Sequence, residues 1–173
     1  MIQILNIKLF MNEFELLILG SLWKESMHVY HFQEKLRLLP KGSWSLLKPT
    51  AWYHHFSNLE TEGLLQSLAP IQEGNRPPRK VFSLTPLGEN RLVEMLKESY
   101  DCALDQWSLI VNFIRVLTPT EQAALLEKRL QWLATVKDFS EVLDLHVREW
   151  YRILVQSQTR WIKQYQVTLS SAF

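Results

Sequence analysis

The sequence contains a single cysteine, Cys102, in 173 residues. One thiol excludes an intrachain disulfide framework and a cysteine-rich zinc site, and it fits a reducing interior. Long hydrophobic runs are also missing. No stretch approaches the ~20 apolar residues that a membrane span needs. The opening MIQILNIKLF is apolar but short. It lacks a basic leading region and a small-residue cleavage site, so no signal peptide is expected. A soluble cytoplasmic protein with no membrane partner is the expectation. Nor does one sign of charge dominate: 19 Lys and Arg stand against 18 Asp and Glu, for a net charge of +1. Whole-chain electrostatics therefore give no pointer to nucleic acid, and any such pointer has to be local. Patterns of chemistry are absent too. The chain has no phosphate-cradling glycine loop, no Ser/His/Asp arrangement and no H-E-x-x-H. No catalytic residue, no enzyme activity and no cofactor is expected.

Metal binding fares no better. His54 and His55 are neighbours, and adjacent positions on a helix diverge by about 100°, so both rarely reach one ion. His28 and His31 have a workable spacing, but no third ligand is evident. Polar or capping roles suit them better.

What is present is apolar material and helical periodicity. A hydrophobic fraction of 47% supports a packed core, and the length allows one or two small domains. Residues 12–22, NEFELLILGSL, predict a largely buried first helix with Asn12 as its N-cap. Residues 28–38, HVYHFQEKLRL, predict a second, ended by Pro40 and Gly42. A third helix spans 48–62. Pro49 suits its first position, and Trp52, Phe56 and Leu59 fall on one face with Tyr53 beside them. Gly63 stops it. Two strand-like pieces follow, 64–70 and 80–85, separated by the turn-rich IQEGNRPPR. They predict an antiparallel hairpin with a long tip.

This order, three helices and then a hairpin, is that of a winged helix-turn-helix. The remainder is helical in pattern. Thr85 and Pro86 open a helix expected to run to about Leu117. Thr118-x-x-Glu121 is a capping box that starts the next, with a stripe of Leu126, Leu130, Leu133, Val142 and Leu145. A last helix carries Trp150, Ile153, Leu154, Trp161 and Ile162. The expected fold is therefore mainly α with a small β-hairpin. It comprises an N-terminal extension (1–10), a winged helix-turn-helix domain (11–85) and a helical C-terminal domain (86–173). Charge follows the division weakly. Residues 1–85 hold nine Lys and Arg against seven acids, and the rest ten against eleven.

Three stretches resemble the PadR family of transcriptional regulators. ELLILGSLWKESMHVYHFQEKL is similar to that family's opening, an E-L-x-I-L-x-L-L run and then a H-G-Y-E-like helix start. KPTAWYHHFSNLETEGLL resembles its recognition helix, and GNRPPRKVFSLTPLGENRL its wing. Val29, His31 and Phe56 stand where the family pattern has glycine, an acidic residue and leucine. The three stretches occur in order and cover roughly residues 11–92. More loosely, the later helices resemble the C-terminal dimerisation domain of longer members. The resemblance implies a dimeric regulator of double-stranded DNA, usually a repressor and not an enzyme. In some members a small aromatic or drug-like effector binds at the dimer interface.

On this reading helix 48–62 enters the major groove and wing 70–80 flanks it. His54 and Asn58 carry groups that hydrogen-bond base edges, and Lys48, Thr50 and Ser57 suit phosphates. Tyr53 is the signature tyrosine of the same helix. Pro77 and Pro78 stiffen the wing tip. Arg76 is placed to enter the minor groove, where negative potential favours a guanidinium, with Arg79 and Lys80 on phosphates beside it. Two-fold symmetry would then require a near-palindromic operator. The plainer alternatives are a solvated helix face and a solubilising loop, on a winged helix that binds protein rather than DNA. Trp107, Trp132, Trp150 and Trp161 suit core and dimer packing. Alternatively Trp107, with Phe113, lines an aromatic effector pocket. Cys102 fits a buried structural thiol better than a sensor, which needs exposure and a depressed pKa.

Overall fold

The computed structural model describes residues 13–38, 47–71, 79–104, 106–140 and 144–170. They form two compact units, and the division falls between Met95 and Leu96.

The first unit begins with α1 (Glu13–Lys24), β1 (Met27–His28), α2 (Val29–Leu36) and α3 (Pro49–Thr61). β2 (Leu65–Ile71), β3 (Arg79–Leu84) and α4 (Pro86–Glu98) follow. The expected cap Asn12, the breakers Pro40 and Gly42 and the wing tip 72–78 lie outside the described residues. The hairpin joins a three-stranded antiparallel sheet in the order β1-β3-β2. Ser67 faces Phe82 across one side of β3 and Met27 faces it across the other. β1 is unforeseen, because two residues carry no periodicity and become a strand only through β3.

Aromatic packing fills the core between helices and sheet. Phe32 meets Trp52 and Phe56 edge-on at centroid distances of 5.0 and 5.2 Å, and Phe56 lies 5.1 Å from Phe82. Such arrangements contribute beyond the area they bury. Phe56 thus links α2, α3 and β3, and the ring in place of leucine is accommodated by neighbouring rings. Glu15, buried in α1, would be costly alone. It accepts from Arg91 of α4, with Nε 2.8 Å away.

Two glycines are required by geometry. Gly63 ends α3 with φ +76°. Its N–H donates to Glu60 O and that of Leu64 to Leu59 O, which is a Schellman termination. Gly88 lies in the first turn of α4. A Cβ there would stand 2.2 Å from the Leu64 carbonyl oxygen. Thr85 closes the same corner, donating to Gly63 O at 2.7 Å and accepting from Gly88 N.

In the second unit the single helix expected from Thr85 to about Leu117 is broken. α4 stops at Glu98, a 3₁₀ turn covers Ser99–Asp101, and α5 is only Trp107–Phe113. The cause is Arg129 of α6 (Pro119–Ser140). This side chain is 0% exposed. It donates to Tyr100 O at 2.9 Å and Cys102 O at 2.6 Å, while Gln158 of α7 (Leu145–Ser170) donates to Leu104 O at 2.6 Å. Carbonyls that a continuous helix would use internally are instead turned toward side chains from distant helices. The guanidinium also lies 4.6 Å from the Trp107 ring centroid and 4.2 Å from that of Trp132. Burial pushes its pKa down to about 10, so it stays charged at neutral pH.

The capping box forms as expected. Thr118 N donates to Glu121 Oε2 at 2.9 Å, and Glu121 N donates to Thr118 Oγ1 at 3.4 Å. The α6 stripe differs from expectation. Gln122, Leu125, Leu126, Arg129, Leu133 and Val136 are its buried members, and Leu130 is half-buried. Val142 lies outside the described residues, and Leu145 opens α7 as an exposed residue. On α7, Val155 and Ile162 are buried, whereas Trp150 and Ile153 are 56% and 54% exposed. Cys102 is buried. Among the described residues no helix is long and apolar enough to cross a membrane.

Candidate nucleic-acid interface

α3 is held by its apolar stripe. Trp52, Phe56 and Leu59 are all buried, which fixes the rotation of the helix and leaves the opposite face outward. That face carries Lys48, Thr50, Tyr53, His54, Ser57 and Asn58, and all six are exposed. The start of the helix is anchored as well, since Gln33 of α2 donates to Pro49 O at 2.7 Å. His55 does not belong to this face. It is half-buried, with its ring 5.0 Å from Phe14 and 5.9 Å from Trp52. Burial, with a smaller push from His54, lowers its pKa, so it is neutral at pH 7.

The wing contributes through β3. Arg76, Pro77 and Pro78 lie outside the described residues, and Arg79 is the first residue of β3, opposite Ile71. Lys80 is exposed but engaged. Its Nζ is 2.6 Å from Glu60 Oε2 on α3 and 5.1 Å from the Phe82 ring centroid. The hydrogen bond from Lys80 holds the Glu60 carboxyl below the usual carboxylate range.

Between α2, α3 and β3 lies a cleft of about 460 Å³, lined by His28, Tyr30, Tyr53, Ser57 and Lys80, with Phe82 among its walls. His28 caps α2, its Nδ1 accepting from His31 N at 2.9 Å. Tyr30 is exposed beside it. Sequence reasoning missed both as site residues. The capping role expected of His28 is the one it takes; the signal for Tyr30 is the His-Val-Tyr helix start. The cleft offers phenol, hydroxyl, imidazole and ammonium donors next to the polar face of α3, a donor set suited to phosphate oxygens.

Trp107 and Phe113 are placed elsewhere, in the second unit, and both are buried. Arg129 occupies a face of the Trp107 ring. The indole N–H finds no hydrogen-bond partner among the described residues. Among those residues no group of three or more His, Cys, Asp or Glu is arranged to hold a metal ion.

A helical trio whose third member turns a polar face outward beside an antiparallel wing defines a winged helix-turn-helix, the architecture of DNA-binding regulators. Residues 18–94 match the model of the transcriptional regulator PadR-like family. Two solved structures are similar at low identity. One is a PadR family transcription regulator from hypervirulent Clostridium difficile, with 22% identity and a TM-score of 0.45, covering 51% of this chain and 88% of that one. The other is Bacillus subtilis PadR, solved in complex with operator DNA, with 19% identity and a TM-score of 0.42, covering 94% of this chain and 97% of that one. No curated protein matches the chain.

Proposed function

We propose that this protein is a homodimeric transcriptional regulator that binds double-stranded DNA, acting as a repressor on a near-palindromic operator. Helix 48–62 occupies the major groove, and wing 70–80 lies along the flanking backbone. The observation that carries this reading is the outward face of α3. Six polar or aromatic side chains are exposed there, opposite a stripe that fixes their direction, and the donor-lined cleft adjoins them. The family match over residues 18–94 supports it. Asn58 and His54 read base edges, and Lys48, Thr50, Ser57 and Tyr53 contact the backbone. Residues 86–173 provide the dimerisation domain. Trp150 and Ile153, exposed on α7, are the kind of apolar residues that become buried at homodimer interfaces. Such a regulator acts in the cytoplasm.

The test is selection of bound fragments from genomic DNA with the purified protein, followed by sedimentation of the complex. A single motif with a dyad and two protomers per site is the expected result. One specific observation favours a second reading, a winged helix that binds protein: Lys80 is already neutralised by Glu60. Failure to enrich any DNA would select that reading.

A further inference from the structure

The second unit carries a concentration of positive charge that the α3 surface does not use. A groove of about 610 Å³ runs between α6 and α7. Lys137 borders it from α6, and Arg152, Gln156, Thr159, Arg160 and Lys163 from α7. The α7 residues are spaced for a single stripe, recurring four, seven, eight and eleven positions after Arg152. At 1.5 Å per residue the stripe from Arg152 to Lys163 is about 16 Å long. Four of the ten basic residues in positions 86–173 thus converge on one groove, in a chain of net charge +1. Among the described residues no carboxylate lines it. Arg160 and Lys163 are exposed and form no ion pair among those residues. Arg152 is paired only with Glu149, one turn back and equally exposed, and such a pair is weak enough to exchange.

The chemistry of the lining narrows the occupant. Among the described residues Val155 is its only apolar one, and every other member donates hydrogen bonds. Among the described residues no aromatic ring lines it to stack on a base or an aromatic effector. A second copy of this chain meeting the groove with its own groove would bring the same four cations against these. An acidic peptide would bring backbone N–H groups that need acceptors, and the groove has only hydroxyl and amide oxygens to give. A phosphodiester strand brings acceptors alone along its backbone. We propose that this groove is a second DNA contact, which grips the sugar–phosphate backbone without reading sequence. This inference rests on the DNA-binding reading above.

The test uses the full chain and a fluorescent 30-base-pair duplex of random sequence, titrated by anisotropy across a KCl series. One variant carries Arg160→Gln and Lys163→Gln. A second carries Lys48→Gln and Asn58→Ala on α3. Circular dichroism checks that both are folded. Each neutralised phosphate contributes about −0.9 to the slope of log K against log salt, so the groove variant should flatten the slope by about 1.8. Loss of binding in the α3 variant with an unchanged slope in the groove variant overturns the groove and leaves the reading of α3 standing. The reverse pattern upholds the groove and overturns α3 as the DNA contact. A 15-residue polyglutamate that binds wild type but not the groove variant, with the duplex slope unchanged, makes the groove a peptide site and overturns the proposal. Absence of duplex binding by wild type overturns both.

Discussion

Lys80 Nζ lies 2.6 Å from Glu60 Oε2, joining the second wing strand to the last turn of α3. The pair couples the wing to the helix proposed to read DNA, and it also neutralises the described lysine of the wing. An exposed pair of this kind contributes about 0.2–1 kcal/mol to stability. Glu60→Gln should therefore leave the fold almost unchanged. It should release Lys80 to a phosphate, raising affinity for duplex DNA at low salt and steepening the salt slope by about 0.9. Lys80→Ala should not steepen it. Anisotropy titrations of the two variants provide the check.

The corner between α3 and α4 should be intolerant at two glycines, for different reasons. Gly88→Ala puts a Cβ 2.2 Å from a backbone oxygen, Leu64 O, which has no rotamer with which to retreat. A loss of about 1–3 kcal/mol is expected, as for overpacking elsewhere. Gly63 fails by conformation instead, its Cβ site being open apart from Leu87 at 3.9 Å. Gly63→Ala should cost about 1–2 kcal/mol, and Gly63→Asn less, because asparagine tolerates the left-handed region. Urea unfolding of the three variants separates the two causes.

Arg129 organises the second unit. Arg129→Ala leaves the Tyr100 and Cys102 carbonyls without their donor and opens a void between two indoles. Each buried carbonyl left without a donor costs about 1–3 kcal/mol, and the void adds to that. Arg129→Lys keeps the charge, but an ammonium cannot present a planar face to two rings and a fork to several acceptors. Only partial recovery is expected. Thermal unfolding monitored by tryptophan fluorescence reports both the stability and the surroundings of Trp107 and Trp132.

The cap of α6 sets an acid limit. The Lys97 ammonium, 2.5 Å away, together with the Thr118 N–H and hydroxyl, lowers Glu121 to about 2. Because the folded pKa is depressed, the contribution is fully present above the ordinary value of 4.5. It is lost as pH falls from there through about 2. Subtracting the melting-temperature profile of Glu121→Gln from that of wild type should give a difference that is flat above pH 4.5 and shrinks below it. Subtraction removes the other acid-titrating pairs, such as Glu149 with Arg152.

Local signals made much of this molecule legible. Pro49, the Trp52–Phe56–Leu59 stripe and Gly63 determine α3 within fifteen residues, and Thr118-Pro119-Thr120-Glu121 starts α6 by itself. The features that escaped depend on partners far along the chain. Met27 and His28 become a strand only against Phe82 and Val81. The break after Glu98 exists because Arg129 and Gln158 draw out the carbonyls of residues 100–104, and nothing between Thr85 and Leu117 announces it. At the candidate interface the outward face of α3 was readable from periodicity. The Lys80–Glu60 pair and the convergence of His28 and Tyr30 on one cleft were not, since each needs the sheet in place. Basic residues scattered over 137–163 showed no cluster until α6 and α7 were paired.

The most direct test of the proposed function is the salt dependence of duplex binding by wild type and by the α3 variant Lys48→Gln, Thr50→Ala, Asn58→Ala, measured on the fragment selected from genomic DNA. Wild type should bind with log K falling linearly in log salt, and the variant should lose affinity and discrimination between that fragment and random duplex. Equal affinity of the variant for the selected fragment, with the fold intact, would contradict α3 as the reader of DNA.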